Sequence, residues 1–144
     1  FMNEHAIYSH AKPNLSEQAA TYYLSKELKG VMPLAKISLL DISKRAQSPL
    51  AEAERVGQIL ANANCKDFVK CFSLLPRNKF AEKIIGAISA KVGKFEFLDE
   101  VLSSSYSTSA FGILAALKNG VKGQYMQYVL SSTNKAAIFV FEIL

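Results

Sequence analysis

Apolar residues recur along this chain at spacings of three and four, and no segment alternates cleanly over the length of a strand. Asn14 and Glu17 form a capping-box pair that opens a helix to about Lys29, with Ala20, Tyr23, Leu24 and Leu28 at helical spacing and Gly30 as its stop. Pro33 suits a first helical turn, and Leu34, Ile37, Leu40 and Ile42 then read as one apolar face up to Ala46. Ser48-Pro49 is an N-cap and N1 pair for Leu50 to Ala63, in which Ala53, Val56, Ile59 and Leu60 are the apolar positions, while Lys44, Arg45, Glu52, Glu54 and Arg55 read as surface charge on solvated faces. Further helices are expected over Cys65–Leu75, Lys79–Val92, Phe95–Ser103, Ala110–Asn119, Gln124–Ser131 and from Ala136, punctuated by Pro76, Gly93, Gly120 and Thr133-Asn134.

The pattern repeats. Lys94 to Ser105 returns about 28 positions later as Lys122 to Thr133, with Lys, an aromatic, Val-Leu and Ser-Ser in the same order. The segments before them match as well. Ile84-Ile85-Gly86-Ala87-Ile88 aligns with Ile113-Leu114-Ala115-Ala116-Leu117, and Ile59-Leu60-Ala61-Asn62-Ala63 is a looser copy. Each is followed by a turn residue (Asn64, Gly93, Gly120) and a second apolar segment. The unit therefore reads as helix, tight turn, helix. Small residues on the first member allow close approach, and large ones such as Phe97, Leu98, Val101 and Leu102 fill the layer between units.

In this register Gly93-Lys94-Phe95-Glu96-Phe97-Leu98-Asp99-Glu100-Val101-Leu102 resembles the outer helix of an ankyrin repeat, and Asn64 to Phe72 and Gly120 to Leu130 follow it more loosely. The Thr-Pro-Leu-His signature of that family is missing, the period is shorter, and the connectors Pro76-Arg77-Asn78 and Ser132-Thr133-Asn134 leave little room for its hairpin finger. The resemblance implies an all-α fold of stacked helix-turn-helix repeats over residues 55–144, an ankyrin-like α-solenoid, behind an N-terminal helical segment or cap over residues 1–54. An irregular helical bundle is the alternative. The nearly all-apolar end, Ala136 to Leu144, is expected to fold inward or to be covered, as in a piece of a longer protein.

Composition adds less. Half of the 144 residues are apolar and a fifth are charged, as in a globular chain. Cys65 and Cys71 form no disulfide framework and have no zinc-like partner set, so reduced thiols in a cytosol-like compartment are expected. His5 and His10 are read as surface residues. No signal peptide and no apolar run long enough to span a bilayer is visible. No P-loop, dinucleotide fingerprint, zincin motif or nucleophile elbow is present, and no cofactor or metal is implied.

The net charge of +5 leaves one constellation. Lys66, Lys91, Lys94, Lys118 and Lys122 fall beside equivalent turns, and stacking would bring them to one edge as a basic stripe. Complementing helix C-termini is the simpler role for them, and an acidic protein surface or anionic lipid is the functional one. Nucleic acid ranks below protein, because no aromatic residue is interleaved for base stacking. The expected function is a non-catalytic protein–protein interaction module, with Lys79, Lys83, Ser107 and Thr108 as candidate partner-binding residues at the starts of the first helices. The alternatives are an accessory or targeting domain of a larger enzyme or secreted bacterial effector, which would place it in a host cytoplasm, and an anionic-ligand-binding helical domain.

Overall fold

The computed structural model describes residues 33–74, 79–97, 112–130 and 134–144. Its centre is a five-stranded sheet, so the all-α expectation is overturned. The elements in chain order are β1 (Ala35–Lys44), α1 (Pro49–Asn62), β2 (Lys70–Leu74), α2 (Lys79–Val92), β3 (Phe95–Phe97), α3 (Gly112–Asn119), β4 (Gly123–Leu130) and β5 (Lys135–Ile143). The strand order is β1-β5-β4-β2-β3. β2 pairs in parallel with both β3 and β4, while β5 runs antiparallel to β4 and to β1. Among the described strands, β5 alone opposes the common direction.

The segments aligned as helix, turn, helix fold instead as helix, turn, strand. The three first members fold as α1, α2 and α3, and the turn residues expected after them sit where backbone reverses: Asn64 has φ 57°, Gly93 127° and Gly120 76°. The second members are β2, β3 and β4. The ankyrin-like reading fails at this step, because a hairpin of two helices needs both members at a 3.6-residue period. In β4 the four consecutive residues Tyr125, Met126, Gln127 and Tyr128 are all buried, two on each face of the sheet. A strand covered on both faces gives a continuous apolar run with no alternation, which periodicity cannot separate from a short helix. β5, expected as a helix from Ala136, is the same case. Leu34 to Ala46, read as a helical face, is mostly β1, and its Ile37–Leu39 step carries a register shift against β5.

Handed crossovers decide which helix covers which face. A right-handed connection from β1 to β2, and another from β2 to β3, both move towards the β3 edge, so α1 and α2 lie on one face. The connection from β3 back to β4 moves the other way and puts α3 on the opposite face. The two cores match this division. Ala53, Val56 and Leu60 of α1 and Ala81, Ile84, Ile85 and Ile88 of α2 meet Cys71, Met126, Tyr128, Ile138 and Val140 of the sheet. On the other face Ala115 and Ala116 of α3 meet Phe72, Tyr125 and Phe141. There the rings stack across three strands, Phe72 on Tyr125 at 6.0 Å and Tyr125 on Phe141 at 5.7 Å between centroids. The Tyr125 hydroxyl donates to Val121 O (2.5 Å) and accepts from Asn119 Nδ2 (3.0 Å), which ties the end of α3 to β4.

The ends of the helices follow local rules. Ser48 caps α1, accepting from the Ala51 amide at 3.2 Å, with Pro49 in the first turn. α3 begins at Gly112 because there is no room for a side chain: an added Cβ would collide with Gln127 Oε1 and stand 3.6 Å from the Phe141 ring. Gln127 is buried and cannot swing into solvent. Gly112→Ala is therefore expected to lower stability in urea by about 1–3 kcal/mol. The same change in a Gln127→Ala background is expected to cost less than in the parent, and equal losses in both backgrounds would show that the side chain of Gln127 is not the obstacle.

Candidate functional site

The strongest polar constellation in the described residues surrounds Glu52, which sits one turn inside α1 and is fully buried. One oxygen accepts from Arg55 Nε (2.6 Å) and from the Ala46 amide (2.9 Å). The other accepts from Arg55 Nη2 (2.9 Å) and from the Tyr128 hydroxyl of β4 (2.6 Å). Arg55 Nη1 continues to Ser43 Oγ at 2.5 Å, and that hydroxyl donates to Asp41 Oδ1 at 2.6 Å. Three elements meet in this network: the end of β1 with the turn after it, α1, and the central strand β4.

Burial by itself would push the Glu52 carboxyl up, but the hydrogen bonds from Arg55, Tyr128 and the Ala46 amide outweigh it and hold the group below its ordinary value of 4.5. The hydrogen bond to Glu52 raises Arg55 further. Burial first, and then the bond to an ionised carboxylate, raise the Tyr128 phenol well above its ordinary 10.0. Glu52 is thus a fixed anion and Tyr128 a fixed hydroxyl donor. Both Glu52 and Arg55 are expected on solvated faces from the sequence, and only a carboxylate with an arginine three residues on, just inside a Ser-Pro helix start, hints otherwise.

The two thiols are poor nucleophiles. Cys71 lies on β2 in the core under α1 and α2, where burial pushes it up to about 12. Cys65 is also buried and shifted up by burial, and its thiol lies 3.6 Å from Ala63 O. Reactive thiols are ionised and open to solvent, and neither condition holds.

The five lysines of the basic stripe do come to one end of the molecule. In a fold of alternating helices and parallel strands every helix-to-strand turn lies at the amino ends of the strands, so Lys66, Lys91, Lys94, Lys118 and Lys122 gather there. Lys66 and Lys91 line one open cleft of about 960 Å³ together with Gln58, Asn64, Asp67 and Phe68. The Lys91 stem crosses α1 at Gly57, its Cδ 3.8 Å from where a Cβ would stand. The loop between α1 and β2 is wound tightly, with Asn64 and Asp67 both at φ 57°. The carboxyl ends of α1, α2 and α3 point towards the same end, so these lysines offset three helix dipoles. Lys79 and the neighbouring Lys83 stand at the start of α2, at the opposite end of the sheet. Ser107 and Thr108 lie outside the described residues. The candidate partner-binding lysines and the stripe are therefore not one surface.

The opposite end is where this topology places ligands. In open sheets of this kind the crevice forms at the carboxyl ends of adjacent strands whose connections leave in opposite directions. Here β2 leads towards β3 and β4 leads back towards β5, so the switch point falls between β2 and β4. Ser73 of β2, opposite Tyr128 in the register, is fully buried there, and its hydroxyl has no hydrogen-bond partner among the described residues. The start of α3 at Gly112 lies over Gln127 of β4 on the other face.

Comparison with known proteins places the fold. No protein-family model and no curated protein sequence matches the chain. Solved structures do. The ishigamide ketosynthase/chain length factor superposes with a TM-score of 0.64 at 14% identity, covering 83% of this chain and 38% of that one. A type II PKS ketosynthase, solved with its acyl-carrier protein and bound to the hexaketide, gives 0.53 at 11% identity over 77% of this chain and 33% of that one. The Acat5 thiolase from Ascaris suum, in complex with coenzyme A, gives 0.52 at 14% identity over 79% and 32%. The chain thus spans between about a third and two fifths of the length of the proteins it matches. These likenesses overturn the expected helical interaction module, and with it the ground for expecting a protein that is not an enzyme, because the neighbours are a ketosynthase and a thiolase. Among the described residues no helix is long and apolar enough to cross a membrane.

The Glu52 network supplies two checks. Glu52→Ala leaves Arg55 and Tyr128 without their acceptor and is expected to lower stability in urea by about 3 kcal/mol, and Tyr128→Phe by about 2 kcal/mol. A loss under about 0.5 kcal/mol in both would mean that the network holds nothing in place. The pH dependence follows from the two shifts. The folded carboxyl of Glu52 is depressed, so its contribution is present above the ordinary carboxylate range and is lost as pH falls through the folded value. The folded phenol of Tyr128 is raised, so its contribution is present below the ordinary tyrosine range and is lost at higher pH. Wild-type stability measured from about pH 6 to about pH 9 is expected to be flat with respect to both groups, and the acid loss is expected to shrink in Glu52→Ala.

Proposed function

We propose that this chain forms one α/β layer of a ketosynthase- or thiolase-type enzyme, and that an acyl thioester meets it at the carboxyl ends of β2 and β4, beside the start of α3. The observation that carries the reading is the sheet itself: the order β1-β5-β4-β2-β3 with β5 alone reversed, superposing over 83% of this chain on a ketosynthase/chain length factor. Two of the neighbours are described with such species, one with an acyl-carrier protein and one with coenzyme A, which sets the substrate class to test. A protein partner carrying the acyl group fits the same reading, since one neighbour is held by an acyl-carrier protein.

The chain's own thiols take no part in acyl transfer in this reading. A thiol that accepts an acyl group from a thioester attacks as thiolate, expels the leaving thiolate and must be open to the substrate, and burial denies both to Cys65 and Cys71. The nucleophile, if the reaction is covalent, comes from elsewhere in the protein.

The test is thioester binding and turnover by the full chain, using acetyl- and hexanoyl-coenzyme A and following loss of the thioester absorbance and release of free thiol. Saturable binding is expected. The Cys65→Ala/Cys71→Ala variant is expected to stay within about twofold of the parent. Absence of binding to every thioester by a chain whose circular dichroism is that of the folded protein would overturn the proposal.

A further inference from the structure

The turn after β1 carries an arginine held in one pose. Arg45 lies just beyond the last residue of β1, and its guanidinium carbon stands 4.8 Å from the centre of the Phe80 ring at the start of α2. Nη1 donates to Ala46 O (2.9 Å) and Nη2 to Asn134 Oδ1 (3.0 Å). The Arg45 amide also donates to Asn134 O (2.9 Å), so backbone and side chain are fixed together. The two side-chain bonds use two of the five N–H groups of a guanidinium. The other three meet no protein acceptor among the described residues. Phe80 is 42% exposed and Arg45 is half-buried, so a ligand can reach the stacked pair. A flat, permanently charged fork with unused donors matches the oxygens of a phosphate. Fixing it in advance removes much of the ordering cost that a free arginine would meet on binding.

The charges around it have one sign in excess. Lys79 precedes Phe80, and Lys83 follows it by three residues, on the same side of α2. Lys44 and Lys135 are direct partners across β1 and β5 at this end of the sheet, a like-charge pairing that costs stability. Of the carboxylates at the end of β1 and in the first turns of α1 and α2, Asp41 already accepts from Ser43, and Glu52 from Arg55. Glu82 lies further round α2 from Phe80 than Lys83 does.

We infer that Arg45, with Lys79 and Lys83, binds the phosphate at the far end of the pantetheine arm that carries the acyl group. The inference rests on the thioester reading and adds a second contact to it. Thioesters of coenzyme A and of carrier proteins share that arm, with the acylated sulfur at one end and a phosphate ester at the other. Arg45 stands at the carboxyl end of β1, the same end of the sheet as the switch point between β2 and β4. β1 and β2 are three strand spacings apart, about 14 Å. The extended arm exceeds that span, so the sulfur can lie at the switch point while the phosphate lies on Arg45.

Three acetyl thioesters test this with the full chain. Acetyl-pantetheine has no phosphate, acetyl-phosphopantetheine adds only that group, and acetyl-coenzyme A adds the nucleotide. Affinities are measured by calorimetry at low salt. The parent is expected to bind acetyl-phosphopantetheine about tenfold or more tightly than acetyl-pantetheine. Arg45→Gln is expected to bring that ratio close to one, and Lys83→Gln to lower it about two- to threefold, as for an exposed cation. Phe80→Leu keeps every charge and removes the ring, and is expected to lower the ratio by about threefold or more. The ratio compares two ligands on one protein, so damage to the fold that weakens both leaves it unchanged. Should Arg45→Gln fail to fold by circular dichroism, the ratio in Phe80→Leu decides, and no change there would overturn the inference. A parent without preference for the phosphate would overturn it and leave the thioester site standing, as would an equal ratio in the parent and Arg45→Gln. Dependence on Arg45 with acetyl-coenzyme A alone would overturn it in favour of the nucleotide's phosphates. Binding of none of the three by the folded parent would overturn the thioester reading and this inference together.

Discussion

The carboxylate of Glu52 is the interaction on which the arrangement of this molecule turns. An ionised group taken fully out of water is costly, and it is tolerated only when its lone pairs are filled and its charge is met. Here four donors do so, from Arg55, Tyr128 and the Ala46 amide. Because those donors belong to the turn after β1, to α1 and to β4, the satisfied state exists in one arrangement only. Apolar packing between α1, α2 and the sheet supplies more of the driving force, but it tolerates sliding. The carboxylate does not, and it pins α1 over Tyr128 and draws the end of β1 against the helix.

From that anchor the rest follows by handedness. Two crossovers in one direction stack α1 and α2 together, and one in reverse sends α3 to the far face. The same topology sorts the chemistry by end. Helix-to-strand turns collect lysines at the amino ends of the strands, where they offset helix dipoles. Strand-to-helix turns collect at the carboxyl ends, where the switch point between β2 and β4 lies.

Much of the punctuation was legible. The Ser48-Pro49 start, the ends of α1 and α2, and the reversals at Asn64, Gly93 and Gly120 all stand where local chemistry puts them, because caps and positive φ act over a few residues. The division into a helix, a turn and a following segment was legible too, and the type of that segment was not. Lys94 to Leu102 fits a helical outer member as a string of letters, yet Phe95–Phe97 pairs with β2 as an edge strand. β4 and β5 offer aromatic and β-branched residues that favour strands, but buried on both faces they lose the alternation that would announce them. Of the candidate site residues, the lysines converge for a reason unrelated to solenoid stacking. Glu52, Arg55 and Tyr128 were invisible as a group, since 76 positions separate Glu52 from Tyr128.

The sequence by itself determined the start of α1 at Ser48-Pro49, the span of α2 and the reversals at Asn64, Gly93 and Gly120. Those features rest on interactions between residues a few positions apart. Only the tertiary structure decided that the second segments are strands, that three of them run parallel while β5 reverses, and that a glutamate on an apparently solvated face is the buried anchor. Pairing and burial are settled by distant neighbours. A strand has no hydrogen-bond partners of its own, and a carboxylate is surface or core according to what folds over it.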